Sequence, residues 1–238
     1  MKTVIIPDIH EHVSIAEACI DRLDGNYDQI VFLGDYFDDY GSPERAKTVE
    51  WLKHSIQKPN RIHLVGNHDN HYIDYAGNPF GVVASGFSYE TLSLIIKDGG
   101  HGGLRSAFKK ALLPAVFIDG WLISHAGFSN TLKGLENADA DTLIGRARKA
   151  LETPDDPLMK IGLARGGSVE TGGFLWCDWN KEFIPRPNIS QIVGHTKGRL
   201  PRFKSGTNSN NICLDTGLNH YAILENGKVS IHEIPHAA

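Results

Sequence analysis

Val31-Phe32-Leu33-Gly34-Asp35-Tyr36-Phe37-Asp38 is the stretch of this 238-residue chain that decides its fold. An apolar run ends at a glycine and carboxylates follow at once, as expected where a strand buried on both faces reaches the edge of its sheet. Three further apolar runs end in the same way. The polar clusters that follow them are Asp8-Ile9-His10, Gly66-Asn67-His68-Asp69 and Gly194-His195. Carboxylate, imidazole and amide groups carried to one end of neighbouring strands bind divalent metals in pairs, so the pattern predicts a dinuclear metallohydrolase.

Strands and helices alternate over the first third of the chain. The predicted strands cover residues 3–6, 29–33 and 61–65. A helix is predicted over 14–23, where Ser14 and Glu17 have the spacing of a capping box. A second predicted helix begins at Ser42-Pro43, with an N-cap residue followed by proline at the first position. Such a β-α-β-α-β series implies parallel strands joined by right-handed crossovers. Ligands of these sheets bind beyond the carboxyl ends of the strands, which is where the first three clusters lie.

The C-terminal part of the chain is rich in predicted strands. A hairpin through Asp119-Gly120 joins strands at 116–119 and 121–124 and delivers His125 at its end. The later predicted strands cover residues 191–193, 211–214, 221–224 and 229–233. The last runs read as antiparallel, so the second sheet is expected to be mixed. No linker divides the chain, and we predict a single domain over residues 1–238.

Composition is that of an ordinary globular protein, with 41% hydrophobic and 22% charged residues. A net charge of -4 offers no general attraction to nucleic acid or anionic membranes, so nucleic acid is expected only as a substrate. No apolar run is long enough for a membrane span or a secretory signal, and we expect a soluble, cytoplasmic protein without a membrane partner. Cys19, Cys177 and Cys213 are widely spaced and predict buried free thiols. Nothing in the sequence indicates an oligomeric state.

In order and residue type, the clusters resemble the metallophosphoesterase superfamily and, within it, the phosphoprotein phosphatase branch of bacteria and phages. The superfamily motifs appear as Asp8-Ile9-His10, Gly34-Asp35-Tyr36-Phe37-Asp38, Gly66-Asn67-His68-Asp69, Ser124-His125-Ala126-Gly127 and Gly194-His195-Thr196. Segments similar to those of the phosphatase branch are Gly86-Phe87-Ser88-Tyr89-Glu90, Leu175-Trp176-Cys177-Asp178 and Leu214-Asp215-Thr216-Gly217. The resemblance implies an α/β fold of the calcineurin-like type, a four-layer α-β-β-α sandwich of two mixed sheets.

The resemblance also implies a set of metal ligands. The expected ligands are Asp8 and His10 on the first metal, Asp35 bridging both metals, and Asn67, His125 and His195 on the second. A carboxylate has two oxygens to share and an amide has one neutral oxygen, so Asp35 suits the bridge and Asn67 a terminal place. The set contains no thiolate. The implied cofactor is therefore two divalent ions, with manganese favoured and iron, zinc or cobalt as alternatives.

The catalytic roles follow from the same resemblance. A hydroxide bridging the two metals would attack phosphorus in line, and no covalent phosphoenzyme is needed. His68 is expected to protonate the leaving oxygen, while Asp38 orients its ring and stabilises the imidazolium. For Asp69 a structural role in holding a loop is favoured.

The chain departs from the phosphatase pattern at a position that contacts phosphate. The branch reads Gly-Asp-x-x-Asp-Arg-Gly, whereas this chain reads Asp38-Asp39-Tyr40-Gly41 and lacks the arginine that clamps a phosphate oxygen. Unless its carboxylate points away, Asp39 would repel a phosphate dianion. Charge on the phosphoryl oxygens in the transition state still needs cationic partners. The expected substrate-binding residues are Asn67, Lys197 and Arg165, with Arg199 and Arg202 as further candidates.

Three functions are compatible with these residues. The first is a phosphatase for a phosphomonoester, either a phosphoprotein or a small phosphorylated metabolite. The second is a phosphodiesterase or dinucleoside polyphosphate hydrolase with the same metal site, because a diester carries less charge and has less need of the missing arginine. The third is an inactive binding scaffold. The presence of all six expected ligands together with His68 and Asp38 argues against a scaffold, which has no need of them.

Overall fold

The computed structural model describes residues 1–39, 42, 44–73, 85–97, 103–153 and 155–235. The strands are β1 (Lys2–Ile6), β2 (Gln29–Phe32), β3 (Arg61–His63), β4 (Ala115–Ile118), β5 (Trp121–Ser124), β6 (Ser190–Val193), β7 (Arg202–Gly206), β8 (Ser209–Cys213), β9 (His220–Glu225) and β10 (Lys228–Glu233). The helices are α1 (Val13–Arg22), α2 (Arg45–Ser55), α3 (Asn67–Ile73), α4 (Tyr89–Lys97), α5 (Leu104–Ala111) and α6 (Ala140–Glu152).

Within the described residues, the strands form two mixed sheets of five strands each. In the first sheet the order is β10-β9-β1-β2-β3, with β1, β2 and β3 parallel and β9 and β10 antiparallel to their neighbours. In the second sheet the order is β4-β5-β6-β8-β7, with a parallel centre and an antiparallel strand at each edge. The predicted β-α-β-α-β series and the predicted hairpin before His125 are both confirmed.

Side chains on alternate positions of the strands divide the interior into layers. Ile5 and Val31 of the first sheet pack against Ile123 and Ile192 of the second, which fills the space between the sheets. Val4 points the other way, into the core formed with the helices. Helix α6 packs against β4 of the second sheet. The predicted four-layer α-β-β-α sandwich is thus confirmed, and each core side chain buried in it contributes about 1.5–3 kcal/mol of transfer free energy.

One local prediction was wrong, and one strand was not predicted. Helix α1 begins at Val13 with His12 as its N-cap, and the predicted capping box does not form. The Ser14 backbone N–H donates to Glu44 Oε2 at 3.0 Å, and the Glu17 carboxylate pairs with Arg61. Strand β7 was not predicted, because its residues are half or fully exposed at a sheet edge and show no apolar run.

The three cysteines are free and buried, as predicted from their spacing. Over the part of the chain that the structure describes, no helix combines the length and apolar character needed to cross a bilayer.

Candidate metal centre

The candidate site lies where strands of both sheets end together. Asp8 and His10 follow β1, Asp35 follows β2, Asn67 opens α3 just beyond β3, His125 follows β5 and His195 follows β6. Backbone bonds fix neighbouring strand ends: the His10 N–H donates to Asp35 O at 2.8 Å, and the Gly194 N–H donates to His125 O at 2.7 Å. The fold therefore brings all six predicted ligands to one edge.

Four of the site residues have backbone in the left-handed region. The φ angles are 43° at His10, 50° at Asp35, 71° at Asp38 and 66° at His195. Residues other than glycine seldom adopt this conformation, and it is concentrated where function requires it. At these strand ends the backbone turns sharply, which aims each side chain toward the shared edge.

One group of donor atoms surrounds His125. Its Nε2 lies 2.9 Å from Asn67 Oδ1, 3.2 Å from His195 Nδ1 and 3.4 Å from Asp35 Oδ2. Its Nδ1 donates to the carbonyl of Leu33 at 2.9 Å, which holds the ring and leaves Nε2 as the ligand atom. These are the four residues expected around the second metal.

A second group of donor atoms shares Asp35 with the first. The His10 Nε2 lies 3.7 Å from Asp35 Oδ2, and His10 Nδ1 donates to the carbonyl of Phe37 at 3.1 Å. Ligand atoms of His10, Asp35 and His68 all lie within 4.8 Å of one another. Because Asp35 belongs to both groups, it occupies the position that a bridging ligand needs.

Asp8 supplies the test of whether a cation fits here. Its Oδ2 accepts the His195 backbone N–H at 2.8 Å, whereas its Oδ1 is buried and has no hydrogen-bond partner among the described residues. Gly194 makes this approach possible, since a Cβ at that position would collide with Asp8 Oδ1. An unpaired buried carboxylate oxygen is costly unless a cation compensates it. The residues present therefore fit a divalent metal centre.

The electrostatics of the site also fit a divalent metal centre. Burial, followed by the carboxylates of Asp215 and Asp35, raises the pKa of Asp8 well above its usual value. Burial also raises the pKa of Asp35, but the imidazoles of His125 and His68 outweigh it and hold that pKa well below the usual value. Burial lowers the pKa of His125, and Asp35 reverses this and raises it to about 9. Without a cation, the carboxylates draw protons to the site, which metal binding would release.

His68 and Asp38 form a hydrogen-bonded pair beside the expected metal ligands. The His68 Nδ1 lies 3.0 Å from Asp38 Oδ2, and the His68 backbone N–H donates to Asp35 Oδ1 at 2.9 Å. Burial lowers the pKa of His68, but the carboxylates of Asp35 and Asp38 more than offset this and raise it. With Nδ1 bound to Asp38, Nε2 is the nitrogen left to transfer a proton.

Asp69 ties two strand ends together. Its carboxylate accepts backbone N–H bonds from Asp35, Tyr36 and Gly66, each at 2.8 Å. These contacts agree with the structural role favoured for Asp69, because they hold the loop after β2 against the loop after β3.

Arg165 lies beside His195, one of the expected metal ligands. Its Nε contacts Asp178 Oδ2 at 3.1 Å, its Nη2 donates to Thr196 Oγ1 at 2.9 Å, and the carbonyl of His195 is 3.5 Å from Nη2. Burial, the His125 imidazole and the Arg165 guanidinium lower the pKa of His195. Arg165 is thus a cation held in a fixed place next to the site.

Lys197 is exposed and lies over the turn after β8. A Cβ at Gly217 would come within 2.7 Å of Lys197 Cε. Burial raises the pKa of Asp215, and the Lys197 ammonium is among the groups that oppose this rise. Lys197 therefore lies near Asp215, whose negative charge raises the pKa of Asp8.

The Arg202 guanidinium is engaged in hydrogen bonds to other residues of the protein. Its guanidinium donates to the Thr196 carbonyl and, at 3.2 Å, to Asn180 Oδ1. The structure does not favour it as a phosphate ligand.

The Asp39 carboxylate lies in contact with the imidazole of His12. The Asp39 Oδ2 and His12 Nε2 atoms are 3.0 Å apart, with side chains 38% and 47% exposed. The carboxylate at the position of the family's arginine therefore lies against an imidazole. Tyr40 and Gly41, which follow it in the motif, lie outside the described residues.

Sequence reasoning assigned no role to two residues of the site. The Tyr72 hydroxyl donates to Asp38 Oδ1, and Asp215 is the carboxylate with the largest effect on the pKa of Asp8. Asp215 follows β8 closely, so the strand-end rule that selected the other ligands would have found it. Tyr72 lies four residues after His68, the spacing of side chains on one helix face.

Comparison with known proteins gives the family and the fold. The sequence profile of the calcineurin-like phosphoesterase family matches residues 1–198. No curated protein matches the chain in sequence. The structure is similar to the cold-active protein-tyrosine phosphatase of the psychrophile Shewanella sp., with a TM-score of 0.61, 14% identity, and coverage of 98% of this chain and 80% of that one.

Two further structures share the fold. A putative diadenosine tetraphosphatase has a TM-score of 0.54 and 13% identity, and the match covers 99% of this chain and 95% of that one. A protein serine/threonine phosphatase from Saccharomyces cerevisiae, with similarity to human phosphatase PP5, has a TM-score of 0.54 and 13% identity, covering 100% and 81% of the two chains. Because the family profile covers most of the chain and the sheets and site edge agree with it, this protein belongs to the calcineurin-like phosphoesterase family, whose members use divalent metals.

Proposed function

We propose that this protein is a phosphatase with two divalent metal ions that hydrolyses a phosphomonoester, either a phosphoprotein or a small phosphorylated metabolite. The observation that carries the proposal is the position of Asp35, shared by the donor group around His125 and by the group that contains His10. Manganese is the proposed metal. The proposed location is the cytoplasm, in keeping with three free cysteines, which are typical of a reducing compartment.

The proposed ligands are Asp8 and His10 for one ion, Asp35 for both, and Asn67, His125 and His195 for the other. Two bound ions would activate water and offset charge on the phosphoryl oxygens. The protein contributes fixed geometry: His125 and His10 are each held by a backbone carbonyl through Nδ1. Asn67 is proposed to contact both metal and substrate through its amide.

His68 is proposed to donate a proton from Nε2 to the leaving oxygen. Asp38 would stabilise the imidazolium through the bond to Nδ1. Proton donation of this kind contributes about 10²–10⁴-fold to rate. It matters most when the leaving alcohol is a poor leaving group.

Arg165 is proposed to take the place of the missing arginine, with Lys197 as a second cation. The support is that Asp178 and Thr196 hold the Arg165 guanidinium next to His195. A guanidinium held in advance loses little side-chain entropy when it meets a phosphate, and its planar donors match phosphate oxygens.

Hydrolysis of a diester or a dinucleoside polyphosphate is the second candidate. The specific observation that favours it is Asp39, whose carboxylate stands at the rim where the family's arginine is absent. A less highly charged ester is better tolerated near such a group.

The decisive assay compares para-nitrophenyl phosphate with its bis ester in the presence of added manganese. Faster turnover of the monoester supports the first proposal, and preference for the bis ester replaces it with the second. The Asp35→Asn variant, purified in the same way, shows whether the activity belongs to this protein. Absence of turnover with manganese, iron, zinc and cobalt over a panel of both ester types would instead support the binding scaffold.

A further inference from the structure

Tyr72 extends the pair formed by His68 and Asp38. The Asp38 carboxylate has two oxygens: Oδ2 contacts His68 Nδ1 at 3.0 Å, and Oδ1 accepts the hydroxyl proton of Tyr72. The Asp38 side chain is fully buried, whereas the His68 side chain is 16% exposed. A chain of hydrogen bonds thus runs from the protein interior to the ring that faces outward.

A second hydrogen-bond partner of the Tyr72 hydroxyl shows that its proton points toward Asp38. The backbone N–H of Ser88 donates to Tyr72 Oη at 2.8 Å. A phenol has one proton to give, and the Ser88 amide occupies a lone pair of the oxygen, so the hydroxyl acts as donor to Asp38. Tyr72 therefore holds Asp38 Oδ1 and leaves Oδ2 for His68.

Packing prevents the Tyr72 ring from moving. The side chain is fully buried, its ring stacks on Phe87 with centroids 5.1 Å apart, and it meets the edge of Phe37 at 5.2 Å. The Asp38 backbone N–H also donates to Glu11 Oε1 at 3.4 Å. Asp38 is thus held from both its backbone and its side chain.

We propose that Tyr72 is a positioning residue for protonation of the leaving group, because its hydroxyl fixes the carboxylate that orients His68. The inference rests on the proposed phosphatase function and assigns a residue beyond the metal ligands and the His68–Asp38 pair. A buried hydrogen bond to a carboxylate is strong in a low-dielectric interior, and small misplacement of an acid lowers the rate steeply. Tyr72 itself does not touch the substrate.

The test uses Tyr72→Phe, which retains the stacked ring and removes only the hydroxyl. Para-nitrophenyl phosphate, with a good leaving group, should be hydrolysed within about twofold of the unmodified rate, whereas kcat for phenyl phosphate should fall about tenfold, since only the poorer leaving group depends on protonation. Tyr36→Phe is the matched control. Tyr36 is equally buried, but its hydroxyl contacts His63 Nδ1 at 3.0 Å, so both substrates should behave alike in that variant.

A double-mutant cycle shows whether Tyr72 acts through Asp38. In an Asp38→Ala background, Tyr72→Phe should cause no further loss on phenyl phosphate. Replacing Tyr72 with 4-aminophenylalanine keeps the ring and a donor, and should restore most of the rate on phenyl phosphate. This second variant also keeps the test valid where Tyr72→Phe melts below the assay temperature.

The outcomes separate the positioning role of Tyr72 from the proposed phosphatase function. Equal losses on both substrates, or full additivity with Asp38→Ala, would overturn the positioning role and leave the proposed function standing. An unchanged rate on both substrates would do the same. Failure of the unmodified protein to hydrolyse either substrate would contradict the proposed function, and this inference with it.

Discussion

The Asp8 carboxylate accepts the backbone N–H of His195 at 2.8 Å, across 187 positions of sequence. The bond joins the end of β1 in the first sheet to the end of β6 in the second. It leaves the other oxygen of Asp8 buried and without a hydrogen-bond partner in the part of the chain that the structure describes. One contact between sheets thus both closes the sandwich at this edge and directs an unpaired carboxylate oxygen into the site.

Gly194→Ala should weaken metal binding. A Cβ at this position would collide with Asp8 Oδ1 and displace the carboxylate. We expect manganese affinity to fall about 10- to 100-fold, the size of effect seen when support of a ligand is lost. Isothermal titration calorimetry measures it. Gly145→Ala is the control, because apart from its chain neighbours and the backbone of its own helix, no atom of the described residues lies within 4 Å of a Cβ there. An equal loss in both variants would contradict the prediction.

Metal binding should raise the melting temperature, and Asp35→Asn should abolish most of that rise. Manganese at a hundred times its dissociation constant stabilises the folded state by about 2.7 kcal/mol per site. Asp35 contributes to both donor groups, so its loss affects both ions. Melting curves with and without manganese provide the measurement. Asp39→Asn, whose carboxylate pairs with His12, should keep the shift. A full shift in Asp35→Asn would refute the bridging role.

Arg165→Ala should lower kcat/KM for para-nitrophenyl phosphate by about 10²-fold, the cost of removing one preorganised group from a developing oxyanion. Lys197→Ala should have a smaller effect, because Lys197 is exposed, whereas Asp178 and Thr196 hold Arg165 in a fixed place. Arg148→Ala, an exposed cation of α6, is the control. An unchanged rate in either variant excludes that residue as a phosphate ligand.

His63 should make the protein less stable as the pH falls below neutrality. Burial, followed by the Arg61 charge, lowers the pKa of His63 to about 3. Between that value and the ordinary pKa near 6.5, the unfolded chain binds a proton that the folded state does not. The contribution of His63 is therefore complete above about pH 6.5, and about 2 kcal/mol of it is lost at pH 5.

Urea unfolding of the unmodified protein and of His63→Gln between pH 7.5 and 5 measures this effect. The His63 ring stacks on Phe32 at 4.6 Å and contacts Ser55 Oγ and Tyr36 Oη, so the variant will be less stable at every pH. Its free energy of unfolding should nevertheless fall less steeply with decreasing pH. Identical slopes for the two proteins would count against the prediction.

Predictions made from the sequence succeeded where a local pattern suffices. Strands β1, β2 and β6 can be predicted from their apolar runs, because a strand buried on both faces consists almost entirely of hydrophobic residues. Predictions failed where a distant contact outweighs a local preference. Ser14 and Glu17 have capping-box spacing, yet the Ser14 hydroxyl donates to Glu44 and the Glu17 carboxylate pairs with Arg61. Neither partner can be identified from the residues within one helical turn.

The sequence by itself determined the family, the sandwich of two mixed sheets and the residue types at the strand ends. Those features depend on the alternation of apolar runs and on short motifs, which are properties of neighbouring residues. Only the tertiary structure decided that Asp35 is shared by two donor groups, that Asp39 pairs with His12 and that Tyr72 reaches Asp38. These relationships depend on distances between loops from different strands, and such distances are set by the packing of the whole chain.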